Sequence, residues 1–124
     1  MRVGRLAAPL PEVTEGERRG NRSWFIRTKT FAWERPFSKA DIKRFGDVVS
    51  PEGPNLAVHV DDLGEKKAVL AAHPSAFFTI PHFDGDAAVL IQLDWVTTKE
   101  LRAAIVDGWL ACAPAHLSDR FLNG

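Results

Sequence analysis

Cysteine is nearly absent. Cys112 stands alone among 124 residues, so no disulfide can close within the chain and a secreted scaffold stapled by disulfides is excluded. Long apolar runs are missing too. Nothing approaches the roughly 18 consecutive apolar residues of a membrane-crossing helix. The arginine-bearing start has only a brief apolar stretch, interrupted by Pro9 and Pro11, where a signal peptide needs a longer core. A soluble protein of the cytoplasm, with no membrane partner, is the expectation. The chain also lacks a glycine-rich phosphate loop, a nucleophile elbow and paired cysteines at metal spacing. These absences leave no motif for catalysis, so no catalytic residue, metal or cofactor is expected.

Charge of one sign is lacking only in the sum. Basic and acidic residues number 16 each. Residues 1–45 hold eleven of the basic and five of the acidic side chains, a net of plus six, and residues 46–124 reverse this to minus six. A chain so polarised can present a basic face to a polyanion while staying neutral overall. The apolar fraction of 45% and charged fraction of 26% are those of an ordinary globular protein, which favours neither disorder nor a coiled coil. Without repeats, low-complexity tracts or a linker, residues 1–124 read as one domain.

Residues 3–8 can form a short helix, stopped by Pro9 and Pro11. A polar connector is expected over 9–23. Aromatic and β-branched residues over 23–27 and 30–35 then predict two antiparallel strands of a hairpin. Ser38 followed three residues later by Asp41 resembles a helix N-cap, with Gly46 placed to end the helix. Pro51, Gly53 and Pro54 mark a loop over 47–55. Leu56, Val58 and Val60 alternate with Ala57 and His59, which predicts a half-buried strand. Asp62 and Glu65 cap a helix that ends before Pro74. Strands over 77–83 and 87–93 flank Asp84-Gly85, a hairpin signal, with Pro81 placing the first near an edge. Thr97 and Glu100 cap a helix through Cys112, and Pro114 ends it or opens another, in which Leu117 and Phe121 pair. The order predicts an α+β fold of two layers, an antiparallel sheet of about five strands packed by helices on one side.

Three constellations bear on chemistry. The hairpin over 23–35 interleaves Trp24, Phe25, Phe31 and Trp33 with Arg27, Lys29 and Arg35, and Arg18, Arg19 and Arg22 precede it. Nucleic-acid surfaces use this mixture, because cations neutralise phosphates while flat side chains stack or wedge against bases. Half-buried strands look the same when their aromatics face the core and their cations face water. His82, Asp84 and Asp86 offer an imidazole and two carboxylates, but at no known metal spacing, and hairpin geometry alone accounts for Asp84-Gly85. His59, Asp61 and Asp62 form the third group, with Asp62 spent on capping. Cys112 falls on the apolar stripe of its helix and reads as a structural thiol. Besides a metal-dependent enzyme built on His82, Asp84 and Asp86, which ranks last, two functions remain open. One is a contact to double-stranded DNA through Arg18, Arg19, Arg22, Arg27, Lys29, Arg35, Trp24 and Trp33. The other is a small-ligand or protein-binding pocket in the cleft between the sheet and the 47–55 loop, lined by His59, His82, Trp33 and Arg35, with self-association through the basic and acidic halves as a variant.

The succession Leu10-Pro11-Glu12-Val13-Thr14-Glu15, Ser23-Trp24-Phe25-Ile26-Arg27, Phe31-Ala32-Trp33-Glu34-Arg35-Pro36, Pro81-His82-Phe83-Asp84-Gly85, Ala88-Val89-Leu90, and Trp109 with Ala113-Pro114 resembles the MmcQ/YjbR family over nearly the whole chain. The resemblance implies a compact α+β domain related to secretion-chaperone-like folds, in small bacterial proteins without an established cofactor or reaction. It also implies the DNA-binding, double-wing label the family often carries. Where many relatives place an aromatic residue and a proline after Asp-Gly, this chain has Asp86 and Ala87, which adds negative charge at the tip of the second hairpin.

Overall fold

The computed structural model describes residues 2–45 and 54–123. Gly46 and most of the expected 47–55 loop lie outside the described residues. Six strands form one antiparallel sheet: β1 (Val13–Arg18), β2 (Asn21–Ile26), β3 (Lys29–Glu34), β4 (Asn55–His59), β5 (Phe77–Phe78) and β6 (Ala88–Gln92), in the order β1-β2-β3-β4-β6-β5. Among the described residues five α-helices accompany it: α1 (Arg2–Ala7), α2 (Lys39–Phe45), α3 (Leu63–Ala72), α4 (Thr98–Cys112) and α5 (Ala115–Asn123). The α+β class and antiparallel sheet are as the sequence predicts.

The sixth strand comes from the stretch expected to be a connector. Strand β1 reads Val-Thr-Glu-Gly-Glu-Arg, and every position after Val13 is exposed, so it carries no alternation to announce it. Its charges suit an outer edge, where they discourage pairing with another sheet. Arg19 and Gly20 join it to β2 with φ of 54° and 80°. Two central residues at positive φ make a type I′ turn, the twist-matched connection for a two-residue hairpin. The expected Asp84-Gly85 hairpin does not form. Of the stretch expected as its first strand only Phe77–Phe78 pairs with β6, through Ile91 and Leu90, and Pro81–Phe83 winds into a single 3-10 turn. Pro81 has no N–H to give to a ladder, and Gly85 takes no positive φ among the described residues.

Capping side chains fix the helix starts. Ser38 Oγ accepts from the Asp41 N–H at 3.1 Å, while Asp41 Oδ2 accepts from the Ser38 N–H at 2.9 Å. Asp62 accepts from the Glu65 N–H at 2.8 Å, and Thr97 with Glu100 forms a reciprocal capping box. Helix α4 then lays Leu101, Ile105 and Trp109 on the sheet, all fully buried. Gly108 permits this approach, because a Cβ there would meet Val58 Cγ1 at 2.6 Å, the His59 carbonyl at 3.2 Å and the Phe31 carbonyl at 3.3 Å.

The opposite face is not bare. Ala57, Ile80, Phe83, Ala88 and Leu90 form a second buried cluster, joined by Trp33, Phe37 and Phe78. Strands β4 and β6 are therefore covered on both faces, and the half-buried expectation for 56–60 fails for Ala57. This cover comes from the 79–87 connection and the 36–38 segment, with α2 beside them, whereas α1, α3, α4 and α5 pack on the first face. A bulge in β3 serves both layers. Trp24 pairs with Ala32 but Phe25 pairs with Thr30, so Phe31 is an extra residue. It lets Phe31 and Ala32 both enter the first core while Thr30 and Trp33 face the other way.

Candidate functional site

The face away from the main helices holds a groove of about 690 Å³. Its floor is Ser23 of β2, Thr30 and Trp33 of β3, Arg35 just beyond, and His59 of β4. Arg18, Arg19 and Asn21 of the β1–β2 hairpin close one end. The 36–44 segment, through Phe37, Asp41 and Arg44, forms one wall, and His82, Phe83 and Asp86 of the 79–87 connection form another.

The walls are held by specific bonds. Arg35 Nη1 reaches Asp41 Oδ2 at 3.0 Å, and Arg44 Nη1 lies 3.8 Å from Asp41 Oδ1. Burial alone would raise the Asp41 carboxyl, but the Ser38 hydrogen bonds and the Arg35 guanidinium outweigh it and hold the group below its ordinary value. The Arg35 guanidinium also lies 5.6 Å from the centre of the Phe83 ring, an attractive cation–π arrangement. Opposite, the buried Lys66 of α3 donates to the Phe83 carbonyl at 2.5 Å and the Asp86 carbonyl at 2.9 Å, pinning the turn that bears His82. Burial pulls the Lys66 ammonium below its ordinary value, and Asp84 and Asp86 oppose the pull.

Along the floor, Trp33 lies 5.4 Å from His59 and 6.3 Å from Phe83 between ring centres, and His82 lies 5.7 Å from Phe83. His59 Nδ1 faces the Ala87 carbonyl at 3.2 Å. A carbonyl only accepts, so Nδ1 carries a proton. At the hairpin end, Arg18 Nη1 donates to Thr30 Oγ1 at 3.1 Å, which leaves most of the guanidinium fork open. Four arginines and two aspartates line the groove, a net of plus two. The arrangement can hold an anion at one end and a flat, apolar body over the aromatic floor.

The eight residues singled out for DNA are divided by the fold. Arg18, Arg19, Arg35 and Trp33 line the groove. Trp24 is 1% exposed, with Nε1 donating to Glu15 Oε1 at 2.9 Å, so it is core and cannot stack on a base. Arg22 lies 3.9 Å from Glu15 on the helix-covered side, and Arg27 meets Glu12 at 3.2 Å beside His116. Lys29 pairs across strands with Ile26, whose side chain enters the main core, so it too faces away from the groove. The single basic hairpin face of the sequence reading is thus split between two faces by strand alternation and the bulge. His59, His82, Trp33 and Arg35, named for a pocket, all line the groove. Residues 47–53, expected to complete that cleft, lie outside the described residues.

Asp41, Arg44, Thr30 and Phe83 were not anticipated as groove residues. Only Asp41 had a local signal, and that signal was its cap. Among the described residues no group of three His, Cys, Asp or Glu side chains gathers to hold a metal, and His82, Asp84 and Asp86 do not converge. Cys112 is half-buried on α4, its thiol raised by burial against a smaller opposing pull from Lys29. Among the described residues no helix is long and apolar enough to cross a membrane.

Comparison with known proteins places the chain. An uncharacterized protein of Mycobacterium tuberculosis is 37% identical over 122 residues, spanning 97% of this chain and 92% of the relative. An uncharacterized protein of Mycobacterium bovis matches to the same extent. No solved structure matches the chain. The YjbR family model matches residues 8–111, from just after the first helix through most of α4, and takes in the floor and both walls of the groove. The chain belongs to the YjbR family.

Proposed function

We propose that the groove binds a small organic anion and that the protein acts as a binding module rather than a catalyst. The observation that carries this is the convergence of Arg18, Arg35, His59, His82 and Trp33 from four separate segments on one concavity with net positive charge. Its volume falls within the roughly 300–1,000 Å³ of small-molecule sites, and its mixture of aromatic floor and few oriented polar groups is theirs too. The hydroxyls of the groove have structural partners. Ser23 donates to the Asn21 carbonyl, Thr30 accepts from Arg18, and Ser38 caps α2. That supports a holding site over one armed with a nucleophile.

Duplex DNA, the partner implied by the family label, is served less well. Four of the basic side chains face acids at ion-pair distance, and the basic set lies on two faces. Calorimetric titration of the full chain with aryl carboxylates and aryl phosphates tests the ligand reading. Binding is expected, weakened about tenfold or more by Arg18→Gln and by Trp33→Leu, with the fold intact by circular dichroism. No binding by any anion, or binding indifferent to both substitutions, refutes it. In a parallel duplex titration, Arg18, Arg19 and Arg44 neutralise three phosphates at most, so a DNA site there would lose about 40-fold in affinity between 50 and 200 mM salt. A tight, steeply salt-dependent duplex complex would displace the small-ligand reading.

A further inference from the structure

We infer that the ligand class is a nucleoside monophosphate, its phosphate at Arg18 and Arg19 and its base over Trp33. The inference rests on the groove being an anion site, and takes the separation of chemistry along it one step further. At the hairpin end, two adjacent guanidiniums and the Asn21 amide border the groove, and only one N–H of Arg18 is taken by Thr30. That supply of donors exceeds what a carboxylate can accept and suits the three terminal oxygens of a phosphate monoester. Charge agrees, since the net plus two of the lining matches a group carrying about −1.5 to −2 at neutral pH.

The aromatic end begins three residues along β3. Thr30, which holds the Arg18 guanidinium, and Trp33 both face the groove. Three residues of strand at about 3.3 Å each put the two sites within about 10 Å, a gap that a ribose spans. Trp33 is tilted against both His59 and Phe83 there, and is only half-buried. A purine or pyrimidine face stacks on such a ring whatever its substituents, whereas a base-specific pattern of buried donors and acceptors would be needed to choose among the four. His59 is only partly buried and His82 is exposed, so they do not make such a pattern, and discrimination between bases is expected to be slight.

Calorimetry on the full chain with three probes decides the question: adenosine 5′-monophosphate, adenosine, and ribose 5-phosphate. The monophosphate is expected to bind about tenfold or more tightly than either fragment. Arg18→Gln should bring it down to the level of adenosine, Arg18→Lys should recover part of the loss, and Trp33→Leu should bring it down to the level of ribose 5-phosphate. Adenosine binding as well as the monophosphate overturns the phosphate end. Ribose 5-phosphate binding as well overturns the base end. Aryl carboxylates and aryl phosphates run alongside separate this inference from the one beneath it. If they bind in a Trp33-dependent way and no nucleotide does, the nucleotide class falls and the anion groove stands. If nothing binds, both fall.

Discussion

Replacing Gly108 with alanine sets two well-characterised effects against each other. Alanine in a helix interior is favoured over glycine by about 1 kcal/mol. Against that, the new Cβ would sit 2.6 Å from Val58 Cγ1, 3.2 Å from the His59 carbonyl and 3.3 Å from the Phe31 carbonyl. Ordinary carbon–carbon contact is about 3.5–4.0 Å, so α4 must lift by about an ångström or Val58 must turn. Neither yields easily, because Val58 is 1% exposed and the two carbonyls belong to the central strands. Overpacking of this kind costs about 1–3 kcal/mol and outweighs the propensity gain. A net loss of up to about 2 kcal/mol is expected, which lowers Tm by up to roughly 10 °C in a domain of this size. Urea denaturation should show a lower midpoint at unchanged slope. Val58→Ala removes the closest contact, so the double variant should be more stable than the two single losses predict by about 1 kcal/mol. A Gly108→Ala protein more stable than the parent, or strict additivity in the cycle, would refute the close-approach argument.

Lys66→Met replaces a buried ammonium that holds the Phe83 and Asp86 carbonyls. A loss of about 2 kcal/mol is expected, together with faster amide exchange in residues 81–86 and weaker groove binding; unchanged exchange there would show that the turn stands without it. Asp41 lies below its ordinary 3.8 in the folded protein. The stability it contributes is therefore complete above that value and drains away as the pH falls beneath it. Asp41→Asn should destabilise at neutral pH and converge on the parent in urea midpoints as the pH falls through the lowered folded value; a difference that persists undiminished into acid would place the effect outside the ion pairs.

Capping was legible in the sequence because it is local. Ser38 with Asp41, Asp62 with Glu65, and Thr97 with Glu100 each act within one helical turn, and each forms as the spacing predicts. The central strands were legible through their apolar content. Strand β1 was not, since an exposed edge needs no apolar face, and its hairpin uses Arg19 at φ 54° where asparagine would have announced the turn. Asp84-Gly85 misled for the converse reason, as a turn-forming pair that the fold places just after a 3-10 turn without closing a tight hairpin. The destinations of the arginines were hidden at a different level. Which face Arg22 or Arg35 occupies depends on strand register, and the acids beside them, Glu15 and Asp41, come from elements whose position only the assembled sheet decides.

The extra residue in β3 has a consequence for how this domain tolerates change. Ahead of Phe31 the strand counts in one phase and after it in the other, so Thr30 and Trp33 share a face that simple alternation would deny them. Deleting Phe31 or Ala32 would restore simple alternation, leaving Thr30 and Trp33 together on the groove's floor while the first core loses one of the two side chains it draws from this point. Substitutions, by contrast, can retune the floor while the hydrophobic packing on the far side stays untouched. A single offset in spacing thus makes one strand two modules, one answerable to stability and the other free to follow a ligand.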